Sequence, residues 1–289
     1  MLKQLIPSES EMKKWVVNSA GASKLDPSDR GLAYGDGLFE TIAVRNSACR
    51  FLDDHLTRLL SGCEDLKITP PDSTQLINSI EELIRNDRCT NGIIKIIVTR
   101  GNGPRGYAFD VATSEVTIAI GVSSEEPLAP SLEGVSVRHC TTTVSRNKSF
   151  AGIKTLNRLP QVMARSEWQG ELFAEGLMSD DRGNLIGGTM SNLFIVRDKV
   201  IWTPPVTEAG IAGVMRGKVL ESAETLNIKV TQRYFSKSYL CAACEVFLSN
   251  SLIGIWPVKQ FEDQSFKVGP VTRQIMAALA KQGVTECMS

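Results

Sequence analysis

The sequence predicts an α+β protein, a two-domain α/β arrangement spread over 289 residues. Stretches with apolar residues at helical spacing alternate with short apolar runs bounded by glycine, asparagine and aspartate turns. The chain is also longer than the roughly 150 residues of one ordinary domain. A third observation places the division: residues 123–133 hold two prolines and three glutamates without periodicity, and read as a linker. The expected parts are a smaller α+β domain over 1–122 and a larger α/β domain over 134–289.

The first domain opens on turn chemistry, Asp29-Arg30-Gly31 and Tyr34-Gly35-Asp36-Gly37, ahead of a strand Leu38–Val44. Arg45-Asn46-Ser47 reverses the chain into a second short strand ending at Phe51. Asp53 or Asp54 is placed to cap a helix with Leu56, Leu59, Leu60 and Cys63 inward. A second helix is expected over Ser73–Asn86, then strands at 93–99 and 116–122. Beyond the linker the pattern predicts a strand near 135–144, a helix at 160–168, and strands near 176–179 and 192–196. Arg197-Asp198-Lys199 turns the chain into Val200-Ile201-Trp202. A helix over 213–226, a strand at 245–249 and a last helix at 270–281 complete the reading.

Lys and Arg total 32 and Asp and Glu total 32, so the formal net charge is zero. Such a chain has no long-range field to hold a nucleic-acid backbone or an anionic membrane surface. Hydrophobic residues make up 42% and charged residues 22%, the make-up of a packed globular protein. No apolar run approaches the roughly 20 residues of a spanning helix. The opening Met1-Leu2-Lys3-Gln4 lacks an export pattern, and seven cysteines without framework spacing fit free thiols, so the expected compartment is the cytoplasm. Cys241-Ala-Ala-Cys244 is the one CxxC, and without a second pair or a nearby histidine it predicts no metal.

Gly101-Asn-Gly103-Pro-Arg-Gly106 matches GxGxxG and follows a strand, but another strand comes next where a dinucleotide fingerprint needs a helix. Only a loop is supported, and Arg105 on it either meets a carboxylate bidentately or is solvated. Gly210-Ile211-Ala212-Gly213 opens a helix, and its amides either face an anion or form an empty turn. Arg58 follows His55 by three residues on one helix face, and Asn250-Ser251 offers donors or a simple turn. Lys154 lies among apolar neighbours in Gly152-Ile153-Lys154-Thr155-Leu156-Asn157. It is either a Schiff-base lysine with a lowered pKa or a surface charge. Lys95 interrupts Ile93-Ile-Lys-Ile-Ile-Val98, facing either a ligand carboxylate or water from an edge strand.

Taken in order, Asp29-Arg-Gly, Tyr34-Gly-Asp-Gly-Leu-Phe-Glu40, His55-Leu-Thr-Arg-Leu59, Arg100-Gly-Asn-Gly-Pro-Arg-Gly-Tyr107, Gly152-Ile-Lys-Thr-Leu-Asn-Arg-Leu159, Met190-Ser-Asn-Leu-Phe194, Gly210-Ile-Ala-Gly-Val-Met-Arg216 and Asn250-Ser-Leu-Ile-Gly-Ile-Trp-Pro257 resemble the fold-type-IV pyridoxal-phosphate enzymes. These are the branched-chain and D-amino-acid aminotransferases and their relatives. The 152–159 and 100–107 segments favour the lyase branch, whose reaction splits 4-amino-4-deoxychorismate into 4-aminobenzoate and pyruvate. The resemblance implies pyridoxal 5'-phosphate as cofactor, with Lys154 as Schiff-base lysine and general acid/base. It implies that Arg58, the backbone of Ile211 and Ala212, and Ser251 hold the phosphate, and that Asn192 supports the ring. Arg105, Tyr107 and Lys95 would meet substrate carboxylates, and a homodimer is implied. An aminotransferase of the same fold and a cofactor-binding protein with weak or no catalysis are the alternatives. One position departs from the family: Gly187 stands where a glutamate pairs with the pyridine nitrogen, and the carboxylates expected nearest are Asp180 and Asp181. A carboxylate there supports the ring as an electron sink, so its loss disfavours aminotransfer most.

Overall fold

The structure, a computed structural model, describes residues 14–18, 24–111, 114–127, 131–170 and 172–288. Residues 1–4, on which the expected absence of an export signal rests, lie outside these, as do 128–130 of the expected linker. The described chain divides into two compact units. One takes residues 14–127 together with Ile153–Asn157, and the other takes 131–152 with 158–288. Lys154 therefore groups with the smaller unit and not, as the sequence boundaries had it, with the larger. The reason is strand-like pairing: Phe39 N–H donates to the Lys154 carbonyl at 3.1 Å and Leu156 N–H to Gly37 at 2.9 Å.

The smaller unit is built on an antiparallel sheet of five strands, in the order β1 (Lys14–Val17), β5 (Thr117–Ser124), β4 (Gly92–Thr99), β2 (Gly37–Arg45), β3 (Ala48–Cys49). Strand period 2 decides what each residue faces. Leu38, Ile42, Ile94, Ile96, Ile120 and Val122 go to one core with α2 (Leu52–Asp65) and α3 (Ser73–Asn86). Each such side chain contributes about 1.5–3 kcal/mol on full burial. Phe39, Thr41, Lys95, Ile97 and Ala119 alternate with them and are half-buried. Asp72 caps α3 through the Gln75 amide. α2 begins earlier than its expected aspartate cap: Phe51 is the N-cap in left-handed conformation, φ 54°, and Asp53 and Asp54 fall in the first turn, where they complement the helix dipole. A short helix, α1 (Arg30–Tyr34), occupies the segment expected as turn, capped by Asp29 through the Gly31 amide.

The larger unit carries a mixed sheet of nine strands. Its path is β11 (Val230–Gln232), β10 (Val200–Thr203), β9 (Asn192–Arg197), β12 (Glu245–Asn250), β13 (Gly254–Phe261), β6 (Val135–His139), β7 (Glu175–Ser179), β8 (Leu185–Gly188), with β14 (Gln264–Ser265) on β13. The apolar runs of β9 and β12 are buried on both faces, with Phe194 and Phe247 stacked at 4.8 Å. Around the sheet lie α4 (Leu159–Arg165), α5 (Val214–Thr225), α6 (Lys237–Cys241) and α7 (Pro270–Lys281). β6 stops at His139, short of its expected end at 144, and α4 ends at Arg165. Among the described residues no helix is long and apolar enough to cross a membrane, and no group of His, Cys, Asp or Glu could hold a metal ion.

Candidate active site

In the smaller unit the functional side chains gather around β2. Phe39 and Glu40 are neighbours on that strand and therefore point to opposite faces. On the half-buried face the Lys154 ammonium lies 4.1 Å from the Phe39 ring centroid, and that of Lys95 5.6 Å from the same centroid. Two ammonium groups against one aromatic ring are cation–π contacts worth about 0.5–2 kcal/mol each. They also concentrate positive charge on a surface otherwise made of small and apolar residues. β4 is flanked by β2 and β5, so Lys95 sits on an interior strand, which removes the edge-strand alternative.

On the core face Glu40 is buried, 1% exposed. Its carboxylate accepts from Arg58 Nε at 2.7 Å and Arg58 Nη2 at 2.5 Å, and lies 2.6 Å from His55 Nδ1. Burial pushes the Glu40 carboxyl up, but the hydrogen bonds from His55 and Arg58 outweigh it and hold it below the ordinary glutamate range. Burial likewise lowers His55, whose neutral ring donates from Nδ1 to Glu40. The i, i+3 spacing of His55 and Arg58 thus brings both onto one buried acid. Nothing but a glutamate in the middle of an apolar strand announced that acid.

Two further arginines brace the loop that follows β4. Asp36 accepts from Arg30 Nε at 2.9 Å, and from Arg100 Nε at 2.8 Å and Nη2 at 2.9 Å. The loop carries Arg105 and Tyr107, both exposed, Tyr107 at 84%. No helix begins there, so the GxGxxG match is a loop in the structure as well.

In the larger unit the glycine segment 210–213 leads into α5, whose first turn has Gly213 as N-cap and no side chain capping it. The amides of that turn have no intrahelical acceptor and sit at the positive end of a twelve-residue helix. Asn192 Nδ2 donates to the Ile211 carbonyl at 2.9 Å, and a Cβ at Gly213 would lie 2.1 Å from Asn192 Oδ1. Asn192 is thus packed onto the 211–213 segment and holds that loop. Ala212 N–H donates to the Gly152 carbonyl at 2.9 Å and is committed to the Gly152–Ile211 bridge. An anion here would take the amides that follow it. Ser251 stands on the turn after β12, where Asn250 Oδ1 accepts from the Leu252 and Ile253 amides at 2.9 Å each.

The turn 188–191 is organised by Glu175, a carboxylate the sequence reading passed over in favour of Asp180 and Asp181. Glu175 is buried on β7. Its Oε1 accepts from the Gly176 and Thr189 amides and the Thr189 hydroxyl, and its Oε2 from the Met190 amide and the Ser191 hydroxyl. With about four lone-pair sites, a carboxylate taking these donors is saturated. Asp180 is likewise engaged, with the Arg182 and Asn184 amides. Gly187 lies opposite Met178, and a Cβ on it would stand 2.8 Å from the Ser191 carbonyl oxygen. The signal for Glu175 is weaker than for Lys95 and Glu40, a charge at the start of an apolar strand and not in its interior.

In the smaller unit an amine and a buttressed guanidinium suit a phosphorylated aldehyde, and in the larger unit an uncapped helix start suits an anion. The residues around 187 supply no carboxylate for a ring nitrogen. The comparisons with known proteins point the same way. The family model described as "Amino-transferase class IV" matches residues 37–261. The aminodeoxychorismate lyase of Vibrio harveyi is 32% identical over 268 residues, spanning 91% of this chain and 98% of its own. The D-alanine aminotransferase of Bacillus licheniformis is 28% identical, over 91% and 93% of the two chains. The crystal structure of 4-amino-4-deoxychorismate lyase from Pseudomonas aeruginosa superposes with a TM-score of 0.84 at 40% identity, covering 92% of this chain and 98% of that one. The chain belongs to the class IV aminotransferase family of fold-type-IV proteins.

Proposed function

We propose that this protein is a pyridoxal-phosphate-dependent lyase that splits 4-amino-4-deoxychorismate into 4-aminobenzoate and pyruvate. The observation that carries the reading is the Phe39 ring shared by Lys154 and Lys95, beside a buried Glu40–His55–Arg58 cluster, in a chain 40% identical to a lyase of that name. Pyridoxal phosphate, when bound, supplies an aldehyde for the substrate amine and a ring that withdraws electrons from the carbon bearing it. Lys154 is the amine assigned to that aldehyde and the group that moves the proton at the amine-bearing carbon. Its contact with Phe39 and its half-buried setting place the amine against an aromatic face. Arg58, aligned by Glu40, is assigned to the phosphate. In the larger unit the amides opening α5 and Ser251 offer a separate set of donors suited to an anion. Lys95, Arg105 and Tyr107 are assigned to substrate carboxylates.

The assay is direct: substrate is added to the cofactor-loaded protein and pyruvate release is coupled to lactate dehydrogenase. Pyruvate is expected from the wild type and not from Lys154→Ala; equal rates from both would refute the lyase. Position 187 favours a second reading, a protein that binds the cofactor and turns over slowly. Gly187 offers no carboxylate, and Glu175 is consumed by the turn beside it. It also disfavours the aminotransferase alternative, which depends most on a protonated ring nitrogen.

The reading includes a homodimer. Leu159, Val162 and Met163 of α4 and the nearby Leu172 are exposed, Leu172 at 73%, an apolar surface suited to a second copy. Sedimentation at low concentration tests it: a mass of two chains is expected, and a single-chain mass with full activity would refute it. The cytoplasm is the proposed compartment, supported by the thiols at Cys49, Cys63, Cys89, Cys140, Cys241 and Cys244, which form no disulfide among the described residues.

A further inference from the structure

We propose that Arg30 is a positioning residue for the substrate loop, a latch that holds residues 105–109 in the conformation presenting Arg105 and Tyr107. This rests on the assignment of those two side chains to substrate carboxylates. Arg30 is buried, 4% exposed, though it opens a short helix at the surface of its unit. Its fork is turned onto the loop. Nη1 donates to the Gly106 carbonyl at 2.9 Å and to that of Ala108 at 3.4 Å, and Nη2 donates to the Tyr107 carbonyl at 3.1 Å. Three successive carbonyls converge on one guanidinium because Gly106 takes a φ of 103°, a left-handed conformation that costs a glycine little.

The remaining edge of the guanidinium is fixed from behind. Nε donates to Asp36, which Arg100 also holds, and Arg100 is anchored in turn on the carbonyls of Leu66 and Lys67. Aromatic rings close the arrangement. The Arg100 guanidinium carbon lies 3.7 Å from the Phe109 centroid, and that of Arg30 5.0 Å from the Tyr34 centroid. Tyr34 hydroxyl accepts from the Gly106 amide at 3.3 Å and its ring meets Tyr107 edge-on at 5.4 Å. A lysine at position 30 keeps the charge on Asp36 but has one point of donation where the fork has several. The loop would then lose its carbonyl anchors without losing the ion pair.

The test uses the cofactor-loaded protein and Arg30→Lys. Trypsin cleaves after arginine, so the rate of appearance of fragments 1–105 and 106–289 by mass spectrometry reports how often the loop leaves its latch. Cleavage there is expected to rise about tenfold or more in the variant, with the thermal midpoint little changed. KM for the substrate is expected to rise about tenfold while kcat stays within about threefold, since anchoring and not the chemical step is lost. The affinity for pyridoxal phosphate should not move. Cleavage at the wild-type rate in a folded variant overturns the latch. Faster cleavage with unchanged KM overturns the link between loop and substrate. If no pyruvate forms from either protein, the lyase reading fails on its own, and the cleavage rates alone decide the latch. Should Arg30→Lys not fold, Phe109→Leu removes the exposed ring that clamps Arg100; it is expected to speed the same cut, and an unchanged rate overturns the proposal.

Discussion

Glu40→Gln isolates the role of the buried acid behind Arg58. The amide keeps the shape of the side chain but removes the charge. Its one oxygen keeps a single hydrogen bond from Arg58 if it stands at Oε1, or those from Arg58 Nη2 and His55 if it stands at Oε2, and its NH2 is then turned toward the remaining donors. Removing one partner of a buried ion pair costs about 3–5 kcal/mol. The Arg58 side chain keeps 15% of its exposure and water can reach part of it, which favours the lower end, about 3 kcal/mol. In a chain of this size that lowers the thermal midpoint by about 5 °C. The more telling effect is on ligands. A guanidinium no longer aligned by Glu40 holds a phosphate less well, so the Kd for pyridoxal phosphate should rise about tenfold or more, while that for pyridoxal, which has no phosphate, changes by about twofold at most. Fluorescence titration of the cofactor-free apoprotein with each compound separates the two. Equal weakening of both, or of neither, would refute the claim that Glu40 acts through Arg58.

Burial raises the Cys49, Cys63 and Cys140 thiols to about 12, whereas Cys244 is exposed. A thiol reagent at pH 8 should therefore modify Cys244 first, and Cys244→Ser should abolish the fast phase. Burial lowers both His55 and His139. Just below the ordinary histidine value of about 6.5 the unfolded chain then binds more protons than the folded one, and stability must fall as pH drops through it. Thermal midpoints from pH 8 to 5 should show that fall, less steeply in His139→Gln. Burial pushes the Glu167 carboxyl up, but hydrogen bonds from Thr142 and Thr141 outweigh this and hold it at about 2. Its contribution is present above the unfolded value near 4.3 and lost as pH falls toward 2; Glu167→Gln should be less stable than wild type at pH 6 and closer to it at pH 3. Gly187→Glu puts a Cβ against the Ser191 carbonyl and should cost about 1–3 kcal/mol in thermal stability. It should also raise the lyase rate; a stable variant without that gain would show that the ring nitrogen is not limiting.

The parts of the fold that were legible are those where one period dominates. Strand Leu38–Val44 and the helix at 270–281 are set by their own apolar spacing and appear almost unchanged in the structure. The segments missed are ones that tertiary contacts decide. β13 contains Pro257 and reads poorly as a strand, yet it lies inside the larger sheet, where Trp256, Val258 and Phe261 find a core to fill. α1 is one turn long and forms around the Asp29 cap and the Arg30 contacts, which no local pattern encodes. At the site, Lys154, Lys95 and the His55–Arg58 pair were visible because an amine or a guanidinium among apolar residues is costly without a reason. Their partners were not, since pairing Glu40 with Arg58 or Arg30 with residues 106–108 spans distant parts of the chain.

Those hidden partners share a logic that bears on the chemistry. Asp36 binds two arginines, Glu40 binds an arginine and a histidine, and Glu175 binds amides and hydroxyls of one turn. Each of these carboxylates is engaged in holding another group still. Burial pushes Asp36 and Glu40 up, but the hydrogen bonds from Arg30 and Arg100 to Asp36, and from His55 and Arg58 to Glu40, hold those two below the ordinary carboxylate range and unavailable as proton donors. Proton transfer then falls to Lys154, the amine held against Phe39. A reaction in which one amine removes a proton and the departing fragment carries the electrons away asks little of a ring-nitrogen partner, and Gly187 provides none. Elimination to an aromatic product has that character; aminotransfer, which must hold the electrons and return them elsewhere, does not. The same residue that weakens the aminotransferase alternative is therefore compatible with the lyase.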